Sequence, residues 1–342
     1  MKILELFSGY GTATFALKRL GIPHEIIGYS DIDKYANQCF QQNHGGKELG
    51  DVKLVNPNDL EDFDLLTGGF PCQSFSVAGK GLGELDPRGT LFYEIIRIAE
   101  VKKPKYMLLE NVKGLTNKTH KATFDKIIEE LTRIGYYVHW KVLNSKDFGI
   151  PQSRARVWFV CFRNDLRGVF EWPKPVELKI FIKDILEENV DPKYYLSEKI
   201  IELIKRHNLK EDDLNGFTQT AIDSNYFKGI GNRGNKSRCF VRVKRIQYDV
   251  SGKGYNSQQD RIYNINGVMP SIPCSRTFDK INIYSSEKDF FRKLTPKECF
   301  RLQGFLNDEI NLDGLSDTQR YKLAGNGQDV NMVSLIFKEM FK

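Results

Sequence analysis

The sequence predicts an α/β protein with helices packed on both faces of a largely parallel sheet, and three observations predict it. Short apolar runs alternate with amphipathic stretches through the first half of the chain. A chain of 342 residues that is 40% hydrophobic can bury a substantial core. Glycine, acidic and thiol side chains also recur just beyond the apolar runs, where an open sheet presents its chemistry. The runs place strands near 2–7, 24–29, 64–68, 105–110, 137–143 and 156–162, with helices near 12–20, 33–43, 90–102 and 121–134.

The first strand leads into Phe7-Ser8-Gly9-Tyr10-Gly11-Thr12, which opens the first helix; its glycines let backbone approach a ligand at the helix N-terminus. The second ends in Tyr29-Ser30-Asp31-Ile32-Asp33, and Asp31 stands where a ribose diol needs an acceptor. Either aspartate could equally cap the helix that follows. Gly50-Asp51-Val52 is expected at the next strand, where Asp51 could face an adenine amino group. Together these features favour an adenosine-type cofactor.

The run Gly68-Gly69-Phe70-Pro71-Cys72-Gln73-Ser74 follows a short apolar strand. A thiolate there suits nucleophilic attack on electron-poor carbon, although a buried inert thiol is the commoner fate of a cysteine. Glu110-Asn111-Val112 ends the next apolar run, so its carboxylate emerges at the edge that carries Cys72. A desolvated Glu110 could share a proton with a ring nitrogen and make the ring more electrophilic, or serve only as a salt-bridge partner. Gln152-Ser153-Arg154-Ala155-Arg156 enters the last strand, and alternation puts Arg154 and Arg156 on one face, suited to an anion or a base carbonyl.

Near Trp172-Pro173-Lys174-Pro175 the alternation stops, and the chain turns polar, basic and turn-rich to about residue 290. The expected division is a catalytic and cofactor-binding domain at 1–174, a smaller domain at 175–290 and a returning segment at 291–342. In the last segment Thr295-Pro296 signals a helix start, and 328–341 has helical periodicity. The formal net charge is +7, and Lys228, Arg233, Lys236, Arg238, Arg242, Lys244 and Arg245 fall in a stretch without an acidic residue. That distribution favours a polyanionic partner.

Six scattered cysteines without a Cys-x-x-Cys pair point away from a disulfide scaffold or a zinc site and towards a reducing, cytoplasmic setting; no metal is expected. Residues 1–7 read as a strand, not a signal peptide, and no run reaches membrane-spanning length, so no membrane partner is expected.

Taken in order, FSGYGT, GFPCQSFS, ENVKGL, QSRARV, RKLTPKECFRLQGF and YKLAGNGQDVN span nearly the whole chain. The set resembles the DNA (cytosine-5) methyltransferases, in length the compact bacterial or phage type. The resemblance implies a Rossmann-like mixed sheet of the S-adenosylmethionine-dependent methyltransferases, with a smaller, irregular, β-rich target-recognition domain at 175–290. It implies S-adenosylmethionine as cofactor, with Phe7 stacking near the adenine, Asp31 on the ribose, Asp51 on the adenine amino group, and Gly9 and Gly11 approaching closely. Thr12, Ile32, Val52, Pro71, Leu91 and Asn326 complete the implied pocket. It also implies Cys72 as the nucleophile on carbon 6 of a flipped-out cytosine, Glu110 on the ring N3 and amino group, Arg156 on the carbonyl and Arg154 in support.

Residues 73–90 resemble the family's mobile loop, with Gln73 and Arg88 available to DNA. Arg233, Lys236, Arg238, Arg242 and Lys244 are expected on DNA, and Lys253 and Ser271 in base-contacting loops. The implied partner is double-stranded DNA, acted on by a monomer, with a cognate restriction endonuclease acting separately. A tRNA cytosine-5 methyltransferase of the same family is the alternative, but 175–290 lacks a Cys-Phe-Thr signature. A dinucleotide oxidoreductase would leave Pro71-Cys72-Gln73 and the two arginines unexplained, and the full Gly-x-Gly-x-x-Gly is missing. One departure stands out: the family usually carries Gly-Asn-Ser or Gly-Asn-Ala and then an apolar pair, where this chain has Gly325-Asn326-Gly327-Gln328-Asp329. That run loses any side-chain hydroxyl at 327 and replaces apolar packing with polar groups.

Overall fold

A computed structural model of the chain describes residues 1–71, 90–166, 169–198, 246–247, 261–272, 282–285 and 290–342. Strands β1 (Lys2–Leu6), β2 (Glu25–Ser30), β3 (Leu65–Gly69), β4 (Tyr106–Val112), β5 (Tyr136–Asn144) and β7 (Ala155–Arg163) form one sheet in the order β2-β1-β3-β4-β7-β5. The pairs among β1 to β4 are parallel, whereas β7 runs antiparallel to both neighbours. The sheet is therefore mixed, and the start of β7 lies at the edge where β1 to β4 end.

Alternation along the strands divides the core between the two faces. Ile3, Leu65, Leu108, Trp158 and Val160 pack on one side with α1 (Thr12–Arg19) and the C-terminal helix. Leu4, Leu66, Met107, Leu109 and Phe159 pack on the other with α3 (Thr90–Lys102) and α4 (Lys121–Arg133). Helix α2 (Lys34–His44) adds Ala36 and Cys39 to the first side. The C-terminal part contributes α5 (Pro296–Arg301), α6 (Asp317–Asn326) and α7 (Val330–Met340). Thr295 caps α5 as its sequence foretold, in a capping box with Glu298.

Within 175–290, Ile182, Ile185, Ile265, Met269 and Ile272 join the same core cluster as α1 and α7. A second sheet has the order β12-β11-β9-β8, from β8 (Ile246–Gln247), β9 (Arg261–Asn264), β11 (Asn282–Ser285) and β12 (Phe290–Lys293). A two-strand pair of β6 (Gln152–Ser153) with β10 (Met269–Pro270) links this region to the main sheet's last hairpin. Among the described residues, no helix is long and apolar enough to cross a membrane.

Candidate active site

The parallel strands bring their ends together, and the candidate residues follow. Past β1, Gly9 and Gly11 take positive φ of 54° and 82°. A Cβ on Gly11 would stand 2.5 Å from the His44 ring, so only glycine fits there. Phe7 is half-buried, with φ 53°, and Thr12 begins α1 as a buried side chain.

Asp31 ties the ends of β1 and β2 together. Its Oδ2 accepts from Gly9 N at 3.0 Å and its Oδ1 from Asp33 N at 2.9 Å. Burial pushes its carboxyl pKa up, against the backbone donors that favour the charged form. Capping belongs to Asp33, which accepts from Tyr35 N at 2.9 Å. Asp31 is thus not the helix cap and keeps acceptor capacity for a ligand hydroxyl. Beside it Ile32 is 82% exposed, an apolar surface open to a planar group.

Asp51 does not stand on a strand. The chain before it meets β2 at a bridge between Tyr29 and Glu48 and through the Ser30 hydroxyl, which donates to Gly50 O at 2.6 Å, and Asp51 then caps a short 3-10 turn at Val52–Leu54, accepting from Lys53 N at 3.0 Å. The reason is local: a glycine at φ 67° (Gly50) turns the backbone before pairing can extend. Val52 is buried, Leu91 half-buried and Pro71 exposed.

Glu110 lies opposite Gly69 on β3 and opposite Trp158 on β7. Arg156, two residues before Trp158 on the antiparallel strand, is therefore a same-face diagonal neighbour. Its Nε reaches Glu110 Oε1 at 2.9 Å, with both side chains largely buried. Next to Glu110, the buried Asn111 donates from Nδ2 to Phe70 O at 2.9 Å, fastening the backbone just ahead of Pro71. The Glu-Asn-Val run held that signal, but nothing in it named the partner.

Arg154 lies just ahead of β7, where its N donates to Gln152 O at 3.0 Å. Like Arg156 it is on the Trp158 side of the sheet, near enough for the two charges and that of Glu110 to act on one another. Its buried guanidinium turns to the C-terminal part, donating through Nη2 to Gly325 O at 3.2 Å and Gly327 O at 2.7 Å. Burial lowers its pKa to about 10, so it stays charged at neutral pH. The half-buried Ser271 is its neighbour, with Oγ 3.4 Å from Nη1.

Asn326 is exposed at the end of α6. At Gly327 the bare α-carbon is required, because a Cβ would stand 1.9 Å from Tyr10 Cε1. Tyr10 fills that space, and its hydroxyl donates to Gln328 O. The polar Asp329 is the N-cap of α7, accepting from Asn331 N at 2.9 Å and Met332 N at 3.2 Å. The departure at 327–329 is thus a compensated local design. Tyr10 and Gln328 were missed in the sequence because their partners lie some three hundred positions away.

Cys72, Gln73, Arg88, Arg233, Lys236, Arg238, Arg242, Lys244 and Lys253 lie outside the described residues. Among the described residues, no three His, Cys, Asp or Glu side chains are grouped to hold a metal ion.

The whole chain, residues 1–342, matches a model of the family described as C-5 cytosine-specific DNA methylase. Type II methyltransferase M.NgoBI of Neisseria gonorrhoeae is 36% identical over 336 residues, covering 97% of this chain and 90% of that protein. Type II methyltransferase M.HhaI of Haemophilus parahaemolyticus is 33% identical over 339 residues, covering 98% and 93%. Among solved structures, the S. pombe Dnmt2 methyltransferase has a TM-score of 0.69 at 22% identity, covering 98% of this chain and 97% of its own. The Entamoeba histolytica methyltransferase EhMeth has 0.68 at 19%, covering 100% and 98%. These two likenesses show the fold.

Proposed function

The chain belongs to the C-5 cytosine-specific DNA methylases, and from that premise we propose that Cys72, Glu110 and Arg156 methylate carbon 5 of a cytosine flipped out of double-stranded DNA. The observation that carries the reading is the Glu110–Arg156 ion pair at the sheet edge where β3 ends, three residues before Cys72 in the sequence.

Stacked cytosine cannot show carbon 6 to a thiolate, so the base must leave the duplex at a cost of a few kcal/mol. The Cys72 thiolate then forms a bond to carbon 6. Glu110 faces N3 and the amino group, and a proton shared with N3 takes up the charge that arrives with the thiolate. Arg156 holds one carboxylate oxygen and is set to meet the base carbonyl. Carbon 5 becomes nucleophilic. S-adenosylmethionine, when bound, supplies the methyl group. Loss of the carbon 5 proton to water and departure of Cys72 then restore the aromatic ring and the free thiolate.

Residues fitting the cofactor are those at the ends of β1 and β2. The half-buried Asp31 carboxylate suits the ribose hydroxyls, Ile32 and Phe7 suit the adenine faces, and Gly9 and Gly11 admit close backbone approach. Asp51, Thr12, Val52, Pro71, Leu91 and Asn326 complete the proposed pocket. Arg154 acts through backbone, holding the 325–327 turn. We assign the 175–290 region, with Arg233, Lys236, Arg238, Arg242, Lys244, Lys253 and Ser271, to DNA recognition, and Gln73 and Arg88 to contacts beside the extruded base. A cognate restriction endonuclease, acting separately, fits this reading, as do a cytoplasmic, nucleoid-associated location and monomeric action.

Bisulfite sequencing of DNA from cells expressing the protein tests the activity, with methylation confined to one sequence motif as the expected result. Cys72→Ala is expected to abolish methyl transfer, and a duplex with 5-fluorocytosine at the target is expected to trap a covalent adduct with the unsubstituted protein alone. Full activity of Cys72→Ala would overturn the nucleophile. Transfer of labelled methyl to bulk tRNA and not to plasmid DNA would move the substrate to RNA.

A further inference from the structure

His44 ends α2 and is half-buried against the rings of two phenylalanines. Its ring meets Phe15 of α1 at 4.3 Å between centroids and Phe40, one turn earlier on α2, at 4.9 Å, both edge to face. A Cβ on Gly11 would stand 2.5 Å from the same ring, so the imidazole lies directly behind the glycine turn. Packing on these sides fixes the plane of the ring and leaves each nitrogen one direction.

Nε2 is 3.0 Å from the Tyr10 carbonyl oxygen, and Nδ1 is 3.0 Å from Lys18 Nζ, which also donates to Asn43 O at 2.9 Å. A carbonyl can only accept and an ammonium can only donate. Both partners therefore demand the same state, a neutral ring with its hydrogen on Nε2. A second proton would have to enter at Nδ1, facing Lys18. Burial, and then the Lys18 charge, push the pKa of His44 down to about 3, with the Tyr10 carbonyl opposing and the charge of His24 adding a little.

The rest of the turn is held as firmly. Gly9 N donates to Asp31 Oδ2 at 3.0 Å, Gly11 N donates to Ser8 O at 2.8 Å, and the Tyr10 hydroxyl donates to Gln328 O. Open space lies at Gly9, where a Cβ would meet nothing within 4 Å. Gly9 also sits beside Asp31, on the side assigned above to the cofactor.

We propose that His44 is a positioning residue for the cofactor: its Nε2–H holds the Tyr10 carbonyl and so sets the turn with its Gly9 side towards S-adenosylmethionine. The proposal deepens the methyltransferase reading and rests on it for the ligand of the turn. Without this bond the Tyr10 peptide gains freedom in the empty protein, and the cost of ordering it is taken from the binding affinity.

The test uses the full chain labelled with 15N in the histidine rings, with the His44 signals identified by their loss in His44→Phe. Long-range proton–nitrogen correlation is expected to show the Nε2–H tautomer, unchanged between about pH 5 and 8. Binding of S-adenosylhomocysteine, followed by calorimetry, is expected to weaken about three- to tenfold in His44→Phe, which keeps a ring and loses the donor. His44→Gln, which carries a donor at similar reach, should lose less. Thermal melting checks that both variants fold, and the ring signals of the unsubstituted protein decide the contact even where they do not. A ring protonated at Nδ1, a titration midpoint between about pH 5 and 8, or equal affinity in His44→Phe overturns the proposal. An unsubstituted protein that binds no S-adenosylhomocysteine would sink the methyltransferase reading and the cofactor role of His44 together, whereas equal binding by the Phe variant would sink the role of His44 alone.

Discussion

Gly327 and Tyr10 form a matched pair: one residue gives up its side chain so that the other can reach a backbone carbonyl. Every substitution at 327 drives a Cβ into the Tyr10 ring, whose edge is 1.9 Å from the ideal position. Overpacking of this kind costs about 1–3 kcal/mol. Gly327→Ala is therefore expected to lower the melting temperature by several degrees, read by calorimetry. Tyr10→Leu placed in the same chain should recover at least half of the loss, since the two sites are in contact and their effects cannot add. A Gly327→Ala protein that melts with the wild type would contradict this packing.

Single elements decide where chemistry can occur. Strand β7 enters the sheet in the opposite sense to β4, so Arg156 at its start meets Glu110 near the end of β4. A parallel strand in that place would carry its first residues to the far edge. Helix α7 closes the molecule behind this site, and Asp329 starts it by capping two N–H groups in a buried setting. Loss of an N-cap costs about 0.5–2 kcal/mol. Asp329→Ala should lower the melting temperature by about 2–4 °C per kcal/mol lost, whereas Asp329→Asn, which retains the acceptor, should lose less. Equal losses in the two variants would mean that the charge, and not the cap, matters.

At the level of the whole molecule, the cofactor end of the sheet rests on a buried carboxylate. Glu5, on β1, is 3% exposed, and its Oε1 accepts from Thr14 N at 3.0 Å and from the Thr14 hydroxyl. Burial pushes its pKa up to about 7, with the Thr14 donors and the Lys18 charge opposing. A folded-state pKa above the unfolded value means that the native state holds the proton more tightly. The contribution is complete below the unfolded pKa, near 4.5, and is lost as pH rises through about 7. The loss is of the order of 3 kcal/mol. Glu5→Gln keeps an acceptor for Thr14 and carries no charge, so it should match the wild type near pH 5 and melt several degrees higher at pH 8. A melting difference independent of pH would show that Glu5 is not the titrating group.

The order of strands and helices, the glycine turn at Gly9 and Gly11, and the strand ends that carry Glu110 and Arg156 are legible in the sequence. Each depends on local periodicity or on short runs of residues whose chemistry is fixed by type. Asp31 and Asp33 could not be separated until the Gly9 and Tyr35 amides were located. Asp51 is expected at a strand, yet the turn at Gly50 intervenes and it caps a 3-10 turn instead.

By itself the sequence determined the fold class and the family, since apolar periodicity and motif order survive without coordinates. Only the tertiary structure decided what the run Gly325-Asn326-Gly327-Gln328-Asp329 means. Its partners, Tyr10 and Arg154, come from distant parts of the chain. Side-chain direction between such elements is set by packing in three dimensions, which no local pattern encodes.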